Sequence, residues 1–464
     1  MKPSNNPDLA LAQEWLAELD LLYEQLGLLG FDPFDVKQHP RLRALQRRPL
    51  LRKTASFATD LCPHLARRAL HIQPSENPKA FALMAQGSLR MYQLTGEPQY
   101  RARCETLLDW LLRHPAHGPT RTGTDASSSR LQTPDSGLPL SWAYPFDVFG
   151  AGVDTPAGTP VSVVTAIAGD ALLRAYEVLG DDAYLAAARR VAAFFAGQPP
   201  RNSTDSAAKT GHSERSEESL TGKAPAGGDA DNGTLPRLAQ EDGTFCFAYT
   251  PSDARRVHNA NLLAAEFLYK FAAATGEGDY RETARPALEF TLHRQRPDGS
   301  WPYGEWAPGD PYERALMDMV DHHHTGFVLR SLYGIRDSLR AGAAHDPEQA
   351  EEVLESLHRG YRFYRRLFSA EGMPLTGRGK YPVDIHSCAE AVLCPVTLSG
   401  IISSARHQGI LALRWAYYYM RDERTGAPFY RKYPFFTSRI HFPRWGTAWM
   451  YRAIAEYLWR LYPR

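Results

Sequence analysis

Very little in this sequence is present in excess. Its 53 Lys and Arg balance 52 Asp and Glu, so no net field favours nucleic acid or an anionic membrane as partner. The five cysteines, Cys62, Cys104, Cys246, Cys388 and Cys394, are scattered and form no CxxC pair. That argues against a disulfide framework or a cysteine zinc site. No stretch approaches the roughly 20 apolar residues that span a bilayer. The amino-terminal "PDLALAQEWLAELDLLYEQLG" is studded with acids and has no apolar signal core. A reduced, cytoplasmic protein without a transmembrane segment is expected.

What is present is an ordinary globular mixture, 43% hydrophobic over 464 residues, enough for a large core. Two stretches stand apart. Residues 115–135 are rich in Pro, Gly, Ser and Thr and suit a loop. Residues 199–235 hold almost nothing that could enter a core and are expected to be a disordered insertion. Within it, "HSERSEES" resembles the translation of a repeat element found in bacterial genomes.

The remainder repeats one design. "YQLTGEPQYRARCETLLDWLL", "YEVLGDDAYLAAARRVAAFFA" and "AAATGEGDYRETARPALEFTL" each end a helix at Gly, turn, and open a second helix near Tyr. Gly serves as a left-handed cap and the aromatic fills the corner of a helical hairpin. Six segments beginning at "PKAFALM", "TPVSVVT", "VHNANLL", "DHHHTGF", "DIHSCAE" and "RWGTAWM" start polar or small and turn apolar almost all round. Such helices are buried among others. Six inner helices ringed by amphipathic partners make an all-α (α/α)6 toroid, expected as one domain over 1–464.

Parallel inner helices place their amino ends at one rim. That would gather Gln86, Thr165, His258, Asn259, Asn261, Asp321 to His324, Asp384, His386, Arg444 and Trp445 in one funnel. Loop aromatics Trp142, Tyr144, Phe146, Trp301, Tyr303 and Trp306 would wall it. Three consecutive histidines lie about 100° apart on a helix, so one or two of His322, His323 and His324 can face a common centre. No HExxH or cysteine companion accompanies them, and no metal or cofactor is expected. Asp321 is equally explained as a helix cap. His258, Asn259 and Asn261 suit either capping or sugar hydroxyls. Arg444 beside Trp445 suits an anion on a flat ring, or the packing that closes the ring. Asp321 with Asp384 could be the acid and base of a glycoside hydrolase, or two caps.

"QRPDGSW" resembles the QW turn of terpene cyclases, but the DxDD acid motif is missing: "DMVD" has the wrong spacing. A terpene cyclase-like enzyme is therefore the remote alternative. "VHNANLL", "DGSWPYGE", "HHTGFVL", "YPVDIHS" and "RWGTAWM" make the chain from about residue 80 onward resemble a bacterial α/α-toroid family associated with surface-polysaccharide biosynthesis. "ALMAQGSLRMYQLTGE" is loosely similar to the helical domain of glucuronyl 5-epimerases; the β-rich domain of those epimerases has no counterpart here. These resemblances imply an oligosaccharide or polysaccharide substrate, with polysaccharide-assembly proteins as partners. The leading expectation is an epimerase or lyase acting on a uronic-acid glycan. His258, His323 or Tyr303 would supply base and acid. Arg444, Asn259, Asn261, His324, His386, Trp445, Trp142, Trp301 and Glu305 would bind substrate. A glycoside hydrolase and a non-catalytic glycan-binding scaffold are the alternatives.

Overall fold

The computed structural model describes residues 4–42, 49–116, 138–150, 153–197, 233–305, 311–341, 345–376 and 379–463. Most of the expected 115–135 loop and 199–235 insertion, and Trp306, lie outside the described residues.

Six helices form the inner ring: Pro78–Thr95, Ser162–Leu179, His258–Thr275, His322–Leu339, Ile385–Leu398 and Ala448–Leu461. Each packs on the next, and the sixth packs on the first, so the ring closes. Outer helices Pro98–Arg113, Asp182–Ala196, Asp279–His293, Pro347–Tyr364 and Ser403–Tyr419 back the first five. The partner of the sixth comes from the other end of the chain: Pro7–Leu26 lies against both Ala448–Leu461 and Ser403–Tyr419. The toroid is thus circularly closed by its amino-terminal helix, so the architecture begins well before residue 80.

The corners follow the sequence pattern. Gly96, Gly180 and Gly276 end the first three inner helices in the left-handed conformation (φ +71, +73 and +79°). Tyr100, Tyr184 and Tyr280 are buried beside them. The "DGSW" turn has a tighter requirement. Gly299 has φ +91°, and a Cβ there would stand 2.3 Å from the carbonyl oxygen of Arg359. Replacing Gly299 by alanine is therefore expected to cost about 2–3 kcal/mol, from backbone strain and displacement of the facing helix. A denaturant titration checks this; a stability within a few tenths of wild type would contradict it.

Short strand pairs pin the helix starts at the rim. Arg256–Val257 pairs antiparallel with Gly304–Glu305, just before the third inner helix. Val383–Asp384 pairs with Arg431–Lys432, just before the fifth. The opposite half of the axis is not apolar, as the sequence suggested, but ionic. Glu456 accepts from Arg90, Arg452 and Arg460 at 2.9, 2.8 and 2.7 Å. Asp170 pairs with Arg174 and Lys270 at 2.6 and 2.8 Å. Gln86 belongs to this layer and not to the funnel: its amide donates to Asp170 and its oxygen accepts from Arg452. Thr165 is likewise internal, bonded to the backbone of Trp142.

After the amino-terminal helix, residues 27–42 and 49–77 cross the rim before the chain enters the ring. Among the described residues they carry the α-helices Pro33–Lys37, Pro49–Leu61 and Pro63–Leu70 and the single turn Pro40–Leu42. No described helix is long and apolar enough to cross a membrane.

Candidate functional site

The fourth inner helix opens at Asp321, an extended N-cap whose Oδ1 accepts the His324 backbone N–H at 2.8 Å. Its other oxygen lies 2.6 Å from His324 Nδ1. The neighbouring imidazoles His323 and His324 hold the Asp321 carboxyl well below the usual range despite its burial. An ionised Asp321 fixes the proton on His324 Nδ1 and leaves Nε2 as the free lone pair. Helical geometry separates the three histidines as expected. His322 turns away to Tyr364 and Phe368, while His323 and His324 lie together, ring centroids 4.1 Å apart.

His386, on the fifth inner helix, stacks against His323 at 4.8 Å. Trp445 meets it edge-on at 4.3 Å and Trp449 stacks on it at 4.8 Å. His386 is 2% exposed, and neither ring nitrogen finds a hydrogen-bond partner among the described residues. A buried orphan imidazole calls for an explanation. Trp445 reaches this place from a wide π-helical turn, Pro443–Thr447, that opens the last inner helix. Such bulges are frequent where a side chain must be aimed at a functional site.

Burial also keeps the nearby histidines neutral. His323 is pushed down to about 4, and His258 and His322 to about 3, in each case chiefly by burial. Free histidine in an unfolded chain protonates near 6.5, so between that pH and about 4 the unfolded state binds more protons. Conformational stability is expected to fall as pH drops through this window, because it rises with pH wherever the unfolded state holds the extra protons. Urea midpoints at pH 7 and 4.5 test it; equal midpoints would contradict the neutral cluster.

Several expected site residues are engaged elsewhere. Asp384 caps the fifth inner helix, accepting from His386 N, from Trp445 Nε1 at 2.6 Å and from Arg431 at 2.7 Å. Three donors engage it, and through one of them it orients Trp445. Arg444 is 3% exposed, its guanidinium gripping both oxygens of Asp32 at 2.5 and 2.7 Å. Asn261 is fully used inside the fold, bonding Phe247 N, Ala287 O and Thr291. Trp142 and Trp301 are core residues that donate to the carbonyls of Leu111 and Thr291. Glu305 pairs with Arg294 at 2.5 Å. The His258 ring lodges outward against Phe290 and Thr291. Tyr303 rests 4.5 Å from the His324 ring; burial raises its phenol to about 12, so it can donate a proton but is no base.

Together His258, Asn259, Tyr303, Asp321 and His324 bound a residual cavity of about 10 Å³, at the margin for one water. A far larger cleft, about 560 Å³, lies on the crossing segment and is lined by Phe31, His64, Arg67, Arg68, His71 and Gln73. It holds none of the imidazoles of the inner ring, so chemistry places the site at the smaller space. Asp321, His323 and His324 also form the one group among the described residues whose ligand atoms, all within 4.8 Å, could hold a metal ion. Two imidazoles and a carboxylate suit a divalent transition metal, but the Asp321–His324 hydrogen bond already uses one ligand atom from each.

Lys79 was not singled out in the sequence. It sits in the first turn of the first inner helix, 3% exposed. Its amine lies over the rings of Trp449 and Phe327, at 5.2 and 5.9 Å. The only sequence hint is a lysine in a helix start that is otherwise apolar.

No family model and no curated protein matches the sequence. Solved structures do resemble the fold. A sugar epimerase from a ruminal bacterium has a TM-score of 0.56 at 10% identity, covering 84% of this chain and 88% of that one. The cellobiose 2-epimerase of Bacillus thermoamylovorans B4167 has 0.53 at 11%, over 83% and 88%. A GH76 alpha-mannanase of Bacteroides thetaiotaomicron has 0.53 at 10%, over 83% and 87%. The chain is an α/α toroid. At such identities the likeness establishes the fold alone.

Proposed function

We propose that this chain is a carbohydrate-active enzyme that moves a proton at a sugar carbon beside a carbonyl or carboxylate, as an epimerase or lyase does. The observation that carries the reading is His386: a buried imidazole with both nitrogens unpartnered among the described residues, one ring away from the Asp321–His324 pair. Proton abstraction needs a base of suitable basicity and an acid to return the proton. His324, with Nδ1–H held by Asp321, offers Nε2 as one partner. Neutral His386 or His323 offers the other as a relay, giving its ring N–H to the carbon while its bare nitrogen takes a proton from water. Return of the proton to the opposite face epimerises the carbon; loss of a neighbouring leaving group eliminates. The inner-helix amino ends add partial positive charge where an enolate would develop.

The toroid likeness to proteins named as sugar epimerases supports a sugar substrate. The resemblance to surface-polysaccharide proteins suggests where that sugar occurs. The hydrolase alternative loses support because Asp384 is already engaged by three donors. A sugar ring needs far more room than the residual cavity, so its entry requires the side chains at this rim to shift.

Incubation of neutral and uronate oligosaccharides with the protein in heavy water tests the reading. Deuterium at one ring carbon of intact sugar is the expected epimerase result, and a new ultraviolet-absorbing double bond the lyase result. New reducing ends with neither signal would contradict both.

A further inference from the structure

Asp32 and Arg444 are 412 positions apart and meet at the rim. Their contact is a fork on a carboxylate, Nε to Oδ2 and Nη2 to Oδ1, the planar geometry by which arginine recognises acids. Aromatic rings wall the fork: Tyr144, Trp445 and Phe34 centroids lie 5.3, 4.9 and 5.7 Å from the guanidinium carbon. Trp445 is the same ring that meets His386, so the fork borders the proton-transfer site. Lys79 is a second, independent observation. It is buried at the ring of Trp449, which also stacks on His386, and its Nζ has no hydrogen bond or ion pair among the described residues. Burial and the nearby Arg444 pull its amine well below the ordinary lysine range. An amine that an incoming carboxylate would protonate and pair with therefore stands near the fork, unpartnered among the described residues.

The element that supplies Asp32 is held unevenly. Of helix Pro63–Leu70 only Arg67 is buried, and on Pro49–Leu61 the side chains of Leu51, Phe57 and Leu61 are exposed. Its ties to the rim are polar, Asp32 to Arg444 and Asp60 to Arg431 and Tyr433, and aromatic, Phe34 on Trp445 and Phe57 on Tyr433 and Phe436. Exchanging one carboxylate for another in the same fork preserves the charge pairing, so displacement need not leave Arg444 buried and alone.

We infer that Arg444 and Lys79 form the subsite for the carboxylate of an acidic sugar, and that Asp32 is an internal substitute which the sugar displaces as helix Pro33–Lys37 shifts. This rests on the proposed function only for the location of the reacting carbon.

The test is calorimetric titration of the full chain with D-galacturonate and D-galactose, in wild type, Asp32→Asn and Lys79→Met. Wild type should bind galacturonate at least tenfold tighter than galactose. Asp32→Asn should tighten galacturonate a further tenfold and leave galactose unchanged, and Lys79→Met should weaken galacturonate at least tenfold. Equal affinity for the two sugars in wild type, or a folded Asp32→Asn with unaltered preference, overturns the inference. Should Asp32→Asn fail to fold, hydrogen exchange on wild type decides. Saturating galacturonate must speed exchange over residues 33–42 and 63–72; unchanged exchange there also overturns it. Tight galacturonate binding without deuterium incorporation would leave this subsite standing and remove the proton-transfer reading. Incorporation into neutral sugars alone would do the reverse.

Discussion

Replacing His324 by alanine is expected to slow deuterium incorporation about a thousandfold, the usual worth of a positioned acid or base. The loss should fall on kcat, with KM little changed, because the imidazole acts in the transition state more than in binding. Asp321→Asn should cost less, about 10- to 100-fold, as the loss of an orienting partner does. The asparagine amide still accepts from the helix backbone but no longer fixes the proton on Nδ1. Circular dichroism and denaturant midpoints guard against misfolding. A well-folded His324→Ala variant with wild-type exchange would remove His324 from the reaction. A metal held by Asp321, His323 and His324 would show itself differently: both variants would lose a bound ion, and dialysis against a chelator would reproduce their defect in wild type. The hydrogen-bonded arrangement predicts that chelation leaves the rate unchanged.

Glu456→Ala should have the largest effect on stability, about 3–5 kcal/mol, because it strands arginines in the barrel axis. Glu456 is 1% exposed and accepts from Arg90, Arg452 and Arg460; those three surround it so closely that its carboxyl lies well below the ordinary range despite burial. The folded fraction should nevertheless keep its exchange rate, because this layer lies in the opposite half of the ring from the imidazoles. A denaturant titration showing less than about 1 kcal/mol lost would mean the network is not a buried charge pairing. The contrast between the two variants separates chemistry at one end of the axis from architecture at the other.

How much of this was legible beforehand depends on range along the chain. Gly96 with Tyr100, and the two corners like it, are local: a left-handed cap and a plug encoded within a few residues. The caps Asp321 and Asp384 were equally readable, each accepting from a backbone N–H two or three positions on. The divergence of His322 from His323 and His324 followed from helical spacing alone. What stayed hidden was anything set by distant partners. Arg444 was legible as an anion ligand, but nothing near it announces that Asp32 is the anion it holds. Trp142 and Trp301 looked like funnel walls because their indole acceptors, Leu111 and Thr291, are chosen by packing. The ionic layer around Glu456 was hidden in helices whose overall pattern is apolar. The sixth outer helix was expected but not placed, for the same reason: circular closure joins the two ends of the sequence.

A structure with a sugar bound tests the central claim most directly. The account predicts a ring carbon within hydrogen-bonding reach of His324 Nε2 and of a nitrogen of His386 or His323, with helix Pro33–Lys37 displaced from Trp445. A sugar seated only in the cleft of His64, Arg68 and His71, with Asp32 still locked on Arg444 and the imidazoles untouched, would contradict it.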